Sequence, residues 1–165
     1  MSLDNFQIPI NLLPELYSNS LVLLDDKQPK SISLIRDNFD FLGGNKKNIL
    51  ILVNVADFVH LSDDNLQFLT NVLAACKLSI ADVAILNLHR LSQYDEILLK
   101  DFFKPNTIIY FDIDFSNLDT VIPNQLYEVT TITNINYLRT QSLQLIAENI
   151  EAKKQLWNCL KMIFV

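Results

Sequence analysis

Asn48-Ile49-Leu50-Ile51-Leu52-Val53-Asn54 is the stretch on which the fold turns. Five apolar side chains follow one another with no polar alternation, so neither face of the segment is built for water. A continuous run of that length suits a strand buried on both faces of a parallel sheet. Downstream, Ser62 is placed to cap a helix that begins at Asp63, with Asp63 and Asp64 at its positive end. Leu66, Leu69, Val72, Leu73 and Cys76 recur at helical spacing. Asp82 to Leu88 reads as a second buried strand, and Ser92 opens a helix through Phe103 that carries Ile97, Leu98 and Phe102. Pro105 and Asn106 punctuate the chain before a third strand, Thr107 to Phe111. After a loop holding Pro123, Tyr127 to Thr133 is rich in Thr and Val and is expected to be the fourth strand. Two helical pieces, Leu138 to Glu148 and Ile150 to Phe164, close the chain. Upstream of Asn48 the pattern is irregular, with short apolar pieces at Ile10 to Tyr17, Leu21 to Leu24 and Ile32 to Phe41, and a turn at Gly43-Gly44-Asn45.

Strands alternating with helices imply an α/β fold with a parallel sheet and helices on both faces. Ligands of such sheets sit at the carboxyl ends of the strands. The residues to examine are therefore Asn54, Asp57 and Phe58 after the first strand, Asn87 and His89 after the second, Asp112 and Asp114 after the third, and Asn134 and Asn136 after the fourth.

Composition removes several functions. The 165 residues suit one domain, residues 1–165, with residues 1–47 as an irregular N-terminal extension. Half the residues are hydrophobic, and Lys+Arg 13 against Asp+Glu 19 leaves a net charge of -6. An anionic surface repels polyphosphate, so direct nucleic-acid contact is doubtful. Only two glycines occur, both in the Gly43-Gly44 pair, so neither a dinucleotide fingerprint nor a phosphate-binding P-loop can be written. Cys76 and Cys159 are far apart in apolar helical surroundings and are expected to be buried structural thiols. The N-terminus has no basic stretch followed by a long apolar run, so no signal peptide or membrane span is expected, and a cytoplasmic location is.

The segment Phe68 to Arg90, FLTNVLAACKLSIADVAILNLHR, resembles the part of the uracil-DNA glycosylase superfamily in which a helix and a Leu-Ser turn lead to a strand bearing an Asn. Lys104-Pro105-Asn106-Thr107-Ile108-Ile109 is similar to that superfamily's approach to its third strand. Tyr137-Leu138-Arg139, with Glu151-Ala152-Lys153-Lys154-Gln155-Leu156-Trp157, resembles its closing motif and final helix. Within the superfamily the closest resemblance is to the psi subunits of bacterial DNA polymerase III, on Val53-Asn54, Leu61-Ser62-Asp63 and Ala152 to Trp157. The resemblance implies a three-layer α/β/α domain with a central four-stranded parallel sheet in the order 2-1-3-4. It also implies a role in DNA replication as a protein-interaction subunit, with a chi-like or clamp-loader protein as partner and no cofactor or metal.

Glycosylases of this superfamily need an acidic or Asn side chain after the first strand, an aromatic that stacks on the flipped base, and a His after the fourth strand to stabilise the departing uracil anion. Here the first motif is shortened to Asn54-Val55-Ala56-Asp57-Phe58, without the family's glycines and proline. Asn134 and Ile135 stand where the resemblance places His and Pro, and Asn87 matches the base-reading Asn. The pocket is therefore expected to be vestigial: Asn54, Asp57, Phe58, Asn87, His89 and Asn134, with no catalytic residue assigned. Asn87 admits a plainer role, a strand-end amide that satisfies loop backbone. The competing class is a divergent uracil-DNA glycosylase or related nucleobase hydrolase, with Asn87 reading the base and Asp57 or His89 handling water. A lone loop His, whether His89 or His60, is more often simply solvated. Asp112 and Asp114 alternate along one strand face and lack a third ligand or nearby His. Ile150, Trp157, Leu160 and Phe164 form an apolar stripe for the core or for a partner groove. Phe6, Ile8, Ile10, Leu13, Leu16 and Tyr17 are the candidate partner-binding side chains, an apolar excess ahead of the domain.

Overall fold

The computed structural model describes residues 39–91, 95–115 and 125–165, all within one unit, Ile35–Val165. The six side chains proposed to meet a partner, Phe6, Ile8, Ile10, Leu13, Leu16 and Tyr17, lie outside the described residues.

The opening run is strand β2, Ile49–Val53, and all five of its residues are buried. It pairs in parallel with β3, Val83–Asn87, on one side and with β4, Thr107–Phe111, on the other, so that Ile51 stands beside both Ile85 and Ile109. Every residue of these three strands is buried. Full burial of one Leu or Ile is worth about 1.5–3 kcal/mol before chain entropy is counted, so the centre of the sheet dominates its cohesion. The odd-numbered side chains Ile49, Ile51 and Val53 face α1, Asp63–Ala75, together with α3, Leu143–Glu148, and α4, Ile150–Phe164. The even-numbered Leu50 and Leu52 face α2, Glu96–Phe103, and the rings of Phe39 and Phe41. Helices therefore lie on both sides of a mostly parallel sheet, an α/β fold.

Among the described residues the sheet has six strands, not the four expected: with β1 at Phe41–Gly43, β5 at Val129–Ile132 and β6 at Ile135–Thr140, the order is β1-β3-β2-β4-β6-β5. Its two edges are antiparallel. β1, Phe41–Gly43, pairs with β3, so the expected irregular extension to residue 47 in fact contributes a strand. The expected fourth strand, Tyr127 to Thr133, is β5, Val129–Ile132, and lies antiparallel at the other edge. The parallel neighbour of β4 is β6, Ile135–Thr140, so Leu138 is strand and the following helix begins only at Leu143. Thr133 and Asn134 explain the difference: both have positive φ, 48° and 64°, the geometry of a two-residue hairpin turn that returns the chain at once.

The helix caps follow the sequence closely. Ser62 Oγ accepts from the Asn65 N–H at 3.3 Å, as expected, and Ser142 Oγ does the same for Leu145 at 3.3 Å. α2 starts at Glu96, where Asp95 Oδ1 accepts from the N–H groups of Ile97 and Leu98 at 2.9 and 3.3 Å, and Ser92, the expected start, lies outside the described residues. On α4 the buried stripe is Ala152, Leu156, Cys159 and Leu160, at i, i+4, i+7 and i+8. Of the four apolar residues expected to form a stripe for the core or a partner groove, Leu160 is buried and Phe164 packs against the core, whereas Ile150, at 72 % exposure, and Trp157, at 36 %, stand outside it.

Gly43 and Gly44 have a structural reason. Gly43 has φ +113°, and a Cβ there would collide with the Val83 carbonyl oxygen and lie 2.7 Å from that of Ile80. A Cβ on Gly44 would lie 2.6 Å from the Ala81 carbonyl oxygen. The turn is pressed against the 3-10 turn Ile80–Asp82, backbone on backbone.

Candidate functional site at the carboxyl edge of the sheet

From β2 the chain goes to β3 on one side, then crosses to β4 on the other, so the topological switch point lies at the carboxyl ends of β2 and β4. Four segments meet that edge: residues 54–62 after β2, the 3-10 turn Leu88–Arg90 after β3, residues 112–115 after β4, and residues 141–142 after β6.

Asn87, the last residue of β3, is 1 % exposed. Its Oδ1 accepts from the Val55 N–H at 3.0 Å and from the His89 N–H at 3.2 Å. Its Nδ2 donates toward the carbonyl oxygens of Val55, Phe58 and Val59 at 2.8, 3.0 and 3.2 Å. A side-chain amide has two donor hydrogens and two acceptor lone pairs, so five backbone partners use its whole capacity. The side chain is a clasp that folds the loop after β2 back over the strand ends, and Val55 and Leu61 of that loop pack against the core.

Around this clasp the expected pocket residues separate. Asn54, Asp57 and Phe58 lie on the clasped loop and are exposed, Phe58 at 43 %. His89 is exposed on the turn after β3, joined to Asn87 only through its backbone. His60 places Nε2 3.5 Å from Asp40 Oδ1, while its Nδ1 is buried without a hydrogen-bond partner. Asn134 does not join them. Its hairpin turn precedes β6, and β6 begins beside the start of β4, with Asn136 opposite Thr107. Asn134, like Asn136, is therefore at the amino edge of the sheet, opposite Asn87.

The carboxyl end of β6 instead carries residues that the expected strand boundaries hid. Thr140, 1 % exposed, donates through Oγ1 to the Tyr110 carbonyl at 3.1 Å, and the Tyr127 hydroxyl donates to Gln141 Oε1 at 3.1 Å. Burial pushes the Tyr127 hydroxyl pKa above its ordinary value, partly offset by a hydrogen bond from the Gln141 backbone. Asp112, Asp114, Arg139, Thr140 and Gln141 line a crevice of about 180 Å³ here. The Arg139 guanidinium lies 5.2 Å from the centre of the Phe115 ring. Asp112 has φ +57°, which ends β4 sharply and turns the segment that carries Asp114 off the strand. Recognising Thr133-Asn134 as a hairpin turn would have moved attention from Asn134 to residues 139–141.

Both cysteines are buried, as expected, with pKa values raised by desolvation. The Cys159 thiol lies 3.1 Å from the Tyr127 carbonyl oxygen. Among the described residues no three His, Cys, Asp or Glu side chains are gathered to hold a metal ion, and no helix is long and apolar enough to cross a membrane. In comparisons with known proteins, no family model and no curated protein matches the chain.

Proposed function

We propose that this chain is a non-catalytic domain of the uracil-DNA glycosylase-like type that works as a protein-interaction subunit, a psi-like accessory of a replicative clamp loader. The observation that carries the first half is the full commitment of Asn87 to the backbone of Val55, Phe58, Val59 and His89. An amide that closes a loop has no donor or acceptor left for the edge of a flipped base. The separation of Asn134 from Asn87 removes the second group on which base excision would depend. The four inner parallel strands run β3-β2-β4-β6, which is 2-1-3-4 among themselves and supports the glycosylase-like type. The psi-like assignment rests on the order of motifs along the sequence.

A divergent glycosylase or nucleobase hydrolase would have to act without Asn87, from the crevice of Asp112, Asp114, Arg139 and Gln141. Purified full-length protein incubated with uracil-containing single-stranded DNA separates the two. No excision is expected; release of uracil in proportion to enzyme overturns the non-catalytic reading. Affinity capture from the native host tests the other half, with clamp-loader or chi-like subunits expected. Their absence from the captured proteins removes the psi-like role.

A further inference from the structure

We infer that the groove between α1 and α4 is a docking site for an amphipathic helix of a partner protein, one whose borders carry carboxylates. The inference deepens the interaction-subunit reading and rests on it. The groove, about 240 Å³, has an apolar floor of Phe68 and Val72 from α1 and Leu156, Trp157 and Leu160 from α4. Phe68 to Ala75 lines one wall and Lys153 to Leu160 the other, in each case two helical turns, or about 10 Å. That length fits the i, i+3, i+4 and i+7 anchors of an incoming helix. Trp157 is 36 % exposed in the groove, and Ile150, seven residues before it on the same face of α4, is 72 % exposed.

Charge selects the occupant. The groove lining includes Lys153 and no carboxylate. Lys153 Nζ lies 6.0 Å from the centre of the Phe68 ring, and Lys161 Nζ lies 6.0 Å from that of Trp157. Lys153, Trp157 and Lys161 are spaced i, i+4 and i+8, so two lysines border the aromatic surface from positions about 12 Å apart along the helix. The one acidic residue of α4, Glu151, sits beside Lys154 at 3.9 Å. This local cationic border selects an incoming helix whose own borders are acidic.

Trp157 is the single tryptophan, so its fluorescence reports on the groove without a label. The test titrates the full chain with a short synthetic amphipathic helix bearing Leu at the anchor positions and Glu along its borders, and with a twin bearing Lys in place of Glu. A saturable blue shift is expected with the Glu peptide only. The double variant Lys153→Glu/Lys161→Glu, at two exposed positions that leave folding intact, should weaken binding of the Glu peptide about tenfold or more and admit the Lys peptide. Equal responses to both peptides, or none, overturn the inference. So does a shift that depends on dilution of the protein alone, which marks a second copy, or one produced only by anionic lipid vesicles, which marks a membrane. If the double variant still captures clamp-loader or chi-like subunits as the wild type does, the groove is not their site while the interaction-subunit reading stands.

Discussion

The two ends of the sheet use asparagine in the same way, although only one of them is where α/β folds place their ligands. At the amino end, Asn45 Nδ2 donates to the Phe103 carbonyl at 2.9 Å and Asn106 Nδ2 to the Lys47 carbonyl at 3.0 Å. These amides tie the turn after β1 to the end of α2 and to the residue just before β4. The same turn is laced to Ile80–Asp82 and β3 by backbone bonds from Asn45, Lys46 and Lys47 at 2.9, 3.1 and 3.0 Å. At the carboxyl end, Asn87 does for the loop after β2 what Asn45 and Asn106 do for the turn after β1. The residue that looked like a vestige of base recognition behaves as a third member of a structural set. The difference between the ends is burial: Asn87 is 1 % exposed and Asn106 is exposed. Burial should therefore decide how much each contact is worth.

The amino end carries the largest expected single loss. Gly43→Ala drives a Cβ into the Val83 carbonyl and onto the Ile80 carbonyl at 2.7 Å, in a backbone with φ +113°. Neither neighbour is a flexible side chain, so β1 must move off β3, and the cost should be about 3–5 kcal/mol. Urea unfolding measures it. A loss under about 1 kcal/mol would mean that the three-residue edge strand gives way easily and that this end is less tightly built.

Asn87→Ala sharpens the comparison at the other end. It strips five backbone groups of their partner, some of which water can reach once the loop loosens, and should cost about 2–4 kcal/mol in the same urea experiment. If Asn87 were kept for a ligand rather than for the loop, truncation would leave stability nearly untouched. A change below about 0.5 kcal/mol sinks the clasp and reopens the base-reading role.

How much of this was legible before the structure follows from where the signal resides. Ile49 to Val53 and Thr107 to Phe111 were readable because full burial on two faces demands unbroken apolar runs, and both strands stand where they were expected. Ser62 was readable because a cap is local chemistry. β6 was not, since its sequence INYLRT mixes buried and half-buried positions and leads directly toward a helix. β1 was hidden because a three-residue edge strand carries almost no pattern. The site suffered from that error in register: one misread hairpin turn placed Asn134 at the wrong end of the sheet and concealed Arg139, Thr140 and Gln141. The structural role of Asn87 was among the alternatives, but only the positions of Val55, Phe58 and Val59 show that no capacity is left over.

Asn106→Ala provides the matched control for Asn87. It removes one side-chain hydrogen bond, to the Lys47 carbonyl, at an exposed site where water can take over the acceptor. The backbone bonds that join Asn106 to Asn48 and Asn136 at 2.8 and 2.9 Å survive the substitution. The expected cost is about 1 kcal/mol or less by urea unfolding. If it equals the Asn87→Ala loss, burial is not what distinguishes the two ends.

The smallest effect belongs to Asp82, in the turn on which the two glycines rest. Its carboxylate accepts from the Ser79 N–H at 2.8 Å and from the Ser79 hydroxyl at 2.9 Å. These bonds, the backbone one first, hold its pKa below the ordinary carboxylate value, and the charges of Lys47 and Lys46 add to them. Because the folded state binds the proton less tightly than the unfolded state, the contribution is present above the unfolded pKa and is lost as pH falls through the folded one. Asp82→Asn keeps an oxygen for the Ser79 N–H and discards the charge. Its urea midpoint should lie slightly below that of the wild type at about pH 7 and meet it at about pH 2. A gap of the same size at both pH values would mean that the carboxylate's charge contributes nothing to the turn, leaving this end to the backbone fit at Gly43 and Gly44, the backbone bonds of residues 45–47 and the Asn45 and Asn106 amides.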